Sequence, residues 1–184
     1  MKKTGIIILG IVVILGIWAF SSYNGFVRIN EQVNGQWAQV ESQYQRRFDL
    51  IPNLVESVKG IMTQEQEVFT ALANARSNYA GAQTVDQKAA AAGQVEGALG
   101  RLLAIVENYP QLQSSQTVQN LMVQLEGTEN RIATERMRYN EVVRTYNTRV
   151  KQFPGRVMAA LFGFDERTYF ESAEGSDVAP QVQF

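Results

Sequence analysis

The residues best equipped for chemistry stand together at Arg46, Arg47 and Asp49, around Phe48 and just ahead of Pro52. Two adjacent guanidinium groups can grasp a carboxylate or a phosphate with fixed, forked geometry. The same groups can instead pair with Glu41 or with acids on neighbouring helices. Arg47 and Tyr44 fall close to an apolar stripe, which favours structural pairing for Arg47. Asn53 follows the proline and can bond a backbone group that Pro52 displaces. A second candidate region, Arg156 with Phe162 and Phe164, lies where Val157, Leu161, Tyr169 and Phe170 crowd large apolar side chains into a short span. Such a cluster caps the open end of a bundle or, left exposed, touches a membrane or a partner.

The acids Glu41, Asp49, Glu56, Glu129 and Glu135 are strung along the chain. A paired-carboxylate hydrolase needs two acids about 5 to 9.5 Å apart across a cleft, and the pattern indicates no cleft. Glu129, Arg131, Glu135, Arg136 and Arg138 fit ordinary pairing three or four residues apart on a helix surface. The chain has no His and no Cys. That removes thiol and serine-histidine catalysis and the usual soft metal ligands. No catalytic residue, cofactor or metal is expected. With 17 basic and 18 acidic residues, two of the basic ones being Lys2 and Lys3, the charge balance gives no basis for binding nucleic acid.

The elements that must carry these residues begin with an uncharged stretch from Thr4 to Tyr23 behind Lys2 and Lys3. Its roughly 20 residues suffice to cross about 30 Å of hydrocarbon as a helix. The lysines place the N-terminus on the cytoplasmic side, with the rest of the chain extracytoplasmic. Ala19-Phe20-Ser21 leaves a cleaved secretory signal as the competing reading, but the length of the run favours a retained anchor. The expected layout is a transmembrane helix over 1–23, a helical bundle over 24–170 and an acidic disordered tail over 171–184.

Beyond the anchor, Phe26, Ile29, Val33, Trp37, Val40, Tyr44, Phe48, Ile51 and Val58 recur at three- and four-residue steps, the mark of a helix buried along one stripe. The rhythm keeps its phase across Pro52, so one kinked helix is expected from Phe26 to Tyr79, with Gly60 a weak point. Thr84 to Gln87 fits a capping box opening a second, alanine-rich helix that stops before Pro110. Ser114 or Ser115 caps a third, whose seven-residue steps through Val118, Leu125, Ile132, Tyr139, Tyr146 and Phe153 suggest coiled-coil-like packing. Pro154 opens a short fourth helix through about Phe162. The predicted fold is all-α: a transmembrane helix running into a long antiparallel bundle. Trp37, Tyr44, Pro52 and Pro154 are its structural residues.

The run Tyr44-Gln-Arg-Arg-Phe-Asp-Leu-Ile-Pro-Asn-Leu-Val55, followed by Val58-Lys59-Gly60, resembles the signature of the LemA family of bacterial membrane proteins. Tyr139-Asn140, Tyr146-Asn147, Phe153-Pro154, Phe162-Gly163-Phe164 and Tyr169-Phe170-Glu171 resemble its C-terminal half. The resemblance implies one N-terminal membrane segment, a mostly antiparallel helical bundle and no established biochemical activity. It also implies kinship with magnetosome proteins and a possible envelope partner, a membrane zinc metalloprotease of the HtpX type. This chain lacks the His-Glu-x-x-His run of such a protease. The expectation is a non-enzymatic scaffold or adaptor in the bacterial cytoplasmic membrane, self-associating as a homo-oligomer and anchored in the lipid bilayer. The alternative is a module binding lipid or a small anionic ligand.

Overall fold

The computed structural model describes residues 2–62 and 64–170; the acidic tail expected over 171–184 lies outside them. Six helices make up the described regular structure: α1 (Lys2–Lys59), α2 (Gln66–Gly81), α3 (Val85–Val106), α4 (Pro110–Gln113), α5 (Gln116–Lys151) and α6 (Gly155–Phe162). Their packing falls into two compact units. The first joins residues up to Gln39 with 137–169, and the second joins residues 40–136 with Phe170. Both α1 and α5 contribute to each unit.

Helix α1 passes Pro52 without interruption and ends instead at Lys59, followed by a turn at Gly60 and Ile61. The ring of Pro52 faces solvent, opposite the buried Ile51, Leu54 and Val58, so the turn that loses a hydrogen bond is one water can reach. Gly60, with the lowest helix propensity of any non-proline residue, sets the stop. The expected single helix from Phe26 to Tyr79 is therefore two, and with the four-residue α4 the second unit holds five helical segments rather than three.

Side-chain pairs fix their directions. Tyr44 meets Arg136 and Arg47 meets Glu129, so α1 and α5 run antiparallel. Lys88 meets Glu41 while Glu96 meets Arg47, so α3 runs parallel to α1. The short turn after Lys59 sends α2 the other way. Helix α3 opens with the expected capping box: Thr84 Oγ1 accepts from the Gln87 amide at 3.2 Å, and Gln87 Oε1 accepts from the Thr84 amide at 3.3 Å. It buries Ala91, Ala92 and Ala98 beside Val95, Leu99 and Leu102, small residues that let neighbouring backbones come close. Although α3 is also long and apolar enough to cross a membrane, its apolar stripe is used in this core.

In the first unit α1 again runs antiparallel to α5. Arg149 stacks over Phe26 at 4.9 Å and Trp37 meets Tyr139 edge-on at 5.3 Å. Close approach depends on glycine. A Cβ on Gly155 would run into the Arg149 carbonyl oxygen, and one on Gly25 would run into the Arg149 guanidinium. Pro154 precedes α6 after a cis Phe153–Pro154 bond, and Gly163 closes α6 in the left-handed region at φ 72°. The Phe164 amide then reaches back to Ala159 O at 3.0 Å and sets its ring on Phe26, centroids 5.0 Å apart.

The seven-residue seam of α5 is buried at Val118, Leu125, Ile132, Tyr139 and Tyr146, with Thr128 buried beside it. It ends there, because α5 stops at Lys151 and Phe153 stands 84% exposed beyond it. Conversely, every large apolar residue from Ile6 to Phe20 on α1 is exposed, Trp18 least, as befits a bilayer-crossing segment.

Candidate functional site

The densest group of ionisable side chains is in the second unit, around Arg47. The apolar spacing of α1 that buries Tyr44, Phe48 and Ile51 also turns Arg47 inward, where it is only 1% exposed. A buried guanidinium must find acceptors or cost several kcal/mol. Its Nη2 donates to Glu129, its Nε donates to Thr128 Oγ1 at 3.4 Å, and its Nη1 lies 3.6 Å from Glu96 Oε1. That last separation is an ion pair too long for a hydrogen bond, and Nη1 makes none.

Glu96 also accepts from Arg136 Nη2 and, at 3.4 Å, from the Tyr44 hydroxyl. Arg136 donates to Tyr44 as well and lies 4.5 Å from the Phe170 ring centroid. Two arginines thus face two glutamates, with Glu96 bridging α1 and α5 from α3. Burial pushes the Tyr44 hydroxyl well above the ordinary tyrosine range; Glu96 adds to this, while Arg136 and Arg47 oppose it. Tyr79, against Phe48 at 4.6 Å, is raised mainly by burial too. Both remain neutral phenols at pH 7, unfit as bases. Burial lowers the Arg136 pKa, but Tyr44 and Glu96 more than offset this and leave it raised. The arrangement carries no surplus charge with which to hold an anion. Its chemical capacity is to lock α1, α3 and α5 in register.

The candidate residues read from the sequence therefore separate. Arg47 is buried in this lock, whereas Arg46 is exposed on the same helix. Asp49 is exposed and accepts from Gln45 at 2.8 Å, and Asn53 is exposed, with its carbonyl taking the Ser57 hydroxyl at 2.7 Å. Arg156, Phe162 and Phe164 belong to the first unit. Arg156 is exposed, and Phe162 and Phe164 pack on Tyr23 at 5.0 and 5.8 Å. The C-terminal cluster does not form one apolar cap: Met158, Ala159 and Phe170 are buried, but Val157, Leu161, Phe162 and Tyr169 stand open. Of the structural residues, Tyr44 is fully buried, Trp37 is half-buried, and Pro52 and Pro154 lie on the surface.

Sequence reasoning missed Glu96 as the centre of the lock. Its signal was available: it is the one acid between Ala89 and Leu99, a stretch of α3 otherwise built, Gln94 apart, from small and apolar residues. Asn147 was missed too. It is 3% exposed and clamps the chain after α6 by donating to Arg167 O and accepting from the Arg167 amide, both at 2.8 Å. Among the described residues no group of three or more His, Cys, Asp or Glu could hold a metal ion.

The model of the LemA family matches residues 36–184. The chain belongs to the LemA family. That stretch includes the whole α1–α3–α5 lock. Over 189 aligned residues, covering 87% of this LemA-family chain and 70% of each relative, it is 30% identical to magnetosome proteins MamQ 1 and MamQ 2 of Paramagnetospirillum magneticum. It is 29% identical, with the same coverage, to magnetosome protein MamQ of Magnetospirillum gryphiswaldense.

Proposed function

We propose that this LemA-family protein is a non-enzymatic, membrane-tethered scaffold or adaptor of the bacterial envelope. The observation that carries the reading is the continuity of α1, which leaves Ile6 to Phe20 open to a bilayer and, within the same helix, supplies Phe26 to one core and Arg47 to the other. Folding energy and membrane attachment then reside in one element, with no linker between them. The pairing of Arg47 and Arg136 with Glu96 and Glu129 supports a structural use for the buried charges. None of the relatives' names states a reaction. The alternative of an anionic-ligand module loses one of its two arginines, because Arg47 is spent inside the core.

In this reading the N-terminus is cytoplasmic, the span is crossed once, and both units are extracytoplasmic. The buried stripe of α1 is used within the chain, so association with further copies or with a membrane metalloprotease works through exposed surfaces. Crosslinking in intact membranes tests the role. A reproducible covalent assembly with itself or with one envelope protein is expected, and a strictly monomeric product would sink it. Added protease should digest both units in spheroplasts; protection until lysis would reverse the topology.

A further inference from the structure

We infer that α6 is a second membrane contact: a short helix lying on the bilayer surface, with Val157 and Leu161 among the lipids beside the end of the α1 span. The inference rests on the reading of α1 as a membrane span. Helix α6 has the sequence Gly-Arg-Val-Met-Ala-Ala-Leu-Phe, with a single charged residue. Met158 and Ala159 turn into the first unit, and the opposite face carries Val157, 55% exposed, and Leu161, 70% exposed, with Ala160 between them and Arg156 at its edge. Phe153, 84% exposed, extends this face ahead of the helix. A helix apolar on nearly all sides is ordinarily buried on all sides.

Its location names what covers it. Phe162 packs on Tyr23, and Tyr23 is only five residues, or roughly 7 to 8 Å of helix rise, beyond Trp18 at the polar end of the span. Aromatic rings at such positions mark the headgroup layer. An open groove of about 520 Å³ lies at the same level. Trp18, Ser21, Ser22, Arg149 and Gln152 line it and Phe153 stands at its edge, so polar groups suited to headgroups adjoin the exposed apolar residues. Phe162 on Tyr23 and the groove that joins Trp18 to Phe153 and Gly155 thus set α6 beside the outer end of the span, at the level where acyl chains meet headgroups. Arg156 at its edge can reach outward to phosphate while its stem stays on the apolar side. This is the build of a short apolar helix with one side on the protein and the other at the membrane interface, held in place by a neighbouring span.

The absence of native cysteine makes the test direct. The full chain is reconstituted into phosphatidylcholine–phosphatidylglycerol vesicles carrying a nitroxide at Val157→Cys, Leu161→Cys, Ile11→Cys or Gln124→Cys. Collisions with oxygen, which concentrates in lipid, are compared with collisions with a water-soluble nickel chelate. The expected result is a several-fold higher oxygen-to-nickel ratio at Val157→Cys and Leu161→Cys than at Gln124→Cys, approaching that at Ile11→Cys. Lipid exposure at Ile11→Cys with aqueous ratios at both α6 sites would overturn this inference and leave the span standing. Protection of the α6 sites from both reagents would also overturn it, in favour of a protein covering that face. An aqueous Ile11→Cys would sink the span and this inference together.

Discussion

The two compact units solve the same packing problem by different means. In the second, α1, α3 and α5 are joined through Arg47, Glu96, Glu129 and Arg136, a buried guanidinium and less buried charges paired with one another. In the first, α1 and α5 close on glycines and aromatic rings, with Gly25 and Gly155 giving way to Arg149 and with Phe164 stacked on Phe26 and tilted against Tyr23. Removing one member of a charge lock strands its partners. Enlarging a glycine in the other arrangement only forces surfaces apart, so the two units should fail differently.

The largest effect is expected from Arg47→Ala. Removing one member of a buried ion pair costs about 3 to 5 kcal/mol. The low end applies here, because Glu129 is half exposed and can rehydrate. Urea unfolding in mild detergent should show the loss, and hydrogen exchange should place it in residues 40–136. Glu96→Gln should cost more than Glu129→Gln, since Glu96 serves both arginines; the reverse order would break the picture of Glu96 as the hub.

For the first unit the matching change is Gly155→Ala. The added methyl meets the Arg149 backbone oxygen, which has no rotamer with which to escape, so a loss of about 2 kcal/mol is expected from overpacking. Faster tryptic cleavage after the neighbouring Arg156 would report it. Gly25→Ala should cost less, because the Arg149 guanidinium can swing away at the loss of its contact with Phe26, worth about 0.5 to 1 kcal/mol. Equal effects would erase the distinction between a backbone and a side-chain obstacle.

Alkaline pH should act on the second unit. Tyr44 and Tyr79 have hydroxyls raised above the ordinary value of about 10. Above that pH the unfolded chain releases these protons while the folded chain keeps them, so the unfolded state binds fewer protons and stability falls as pH rises. The stabilisation is whole below about pH 10 and declines by up to about 1.4 kcal/mol per pH unit for each tyrosine. Tyr44→Phe should remove about half of that slope. An unchanged slope would show that the Tyr44 phenol ionises as freely in the fold as in the unfolded chain.

Much of this contrast was visible in the sequence at the level of elements. The apolar rhythm of α1, the capping box at Thr84 and the proline and glycine bounding α6 are local signals, and the helices obey them. The break at Gly60 was misjudged because the rhythm kept its phase across it, and phase reports which side chains would be buried if a helix continued, not whether it does. The pairing of Glu96 with arginines 40 and 49 residues away depends on how helices align, which no local pattern carries. The open face of α6 stayed undecided between a cap and an exposed patch for a related reason: composition announces apolar residues without saying what they meet.

A small and local effect offers the cleanest check on whether the lock acts alone. Thr84→Ala removes the acceptor for the Gln87 amide and should cost about 1 kcal/mol, felt as fraying at the start of α3. Thr84 lies 12 residues, about 18 Å of helix rise, from Glu96 and shares no hydrogen-bond partner with it. The cap and the lock should then add within about 0.5 kcal/mol in the double variant Thr84→Ala/Arg47→Ala, as distant sites do. A larger departure from additivity would mean that α3 is held as one stiff body. The charge cluster would then set the position of the whole helix rather than clamp its middle.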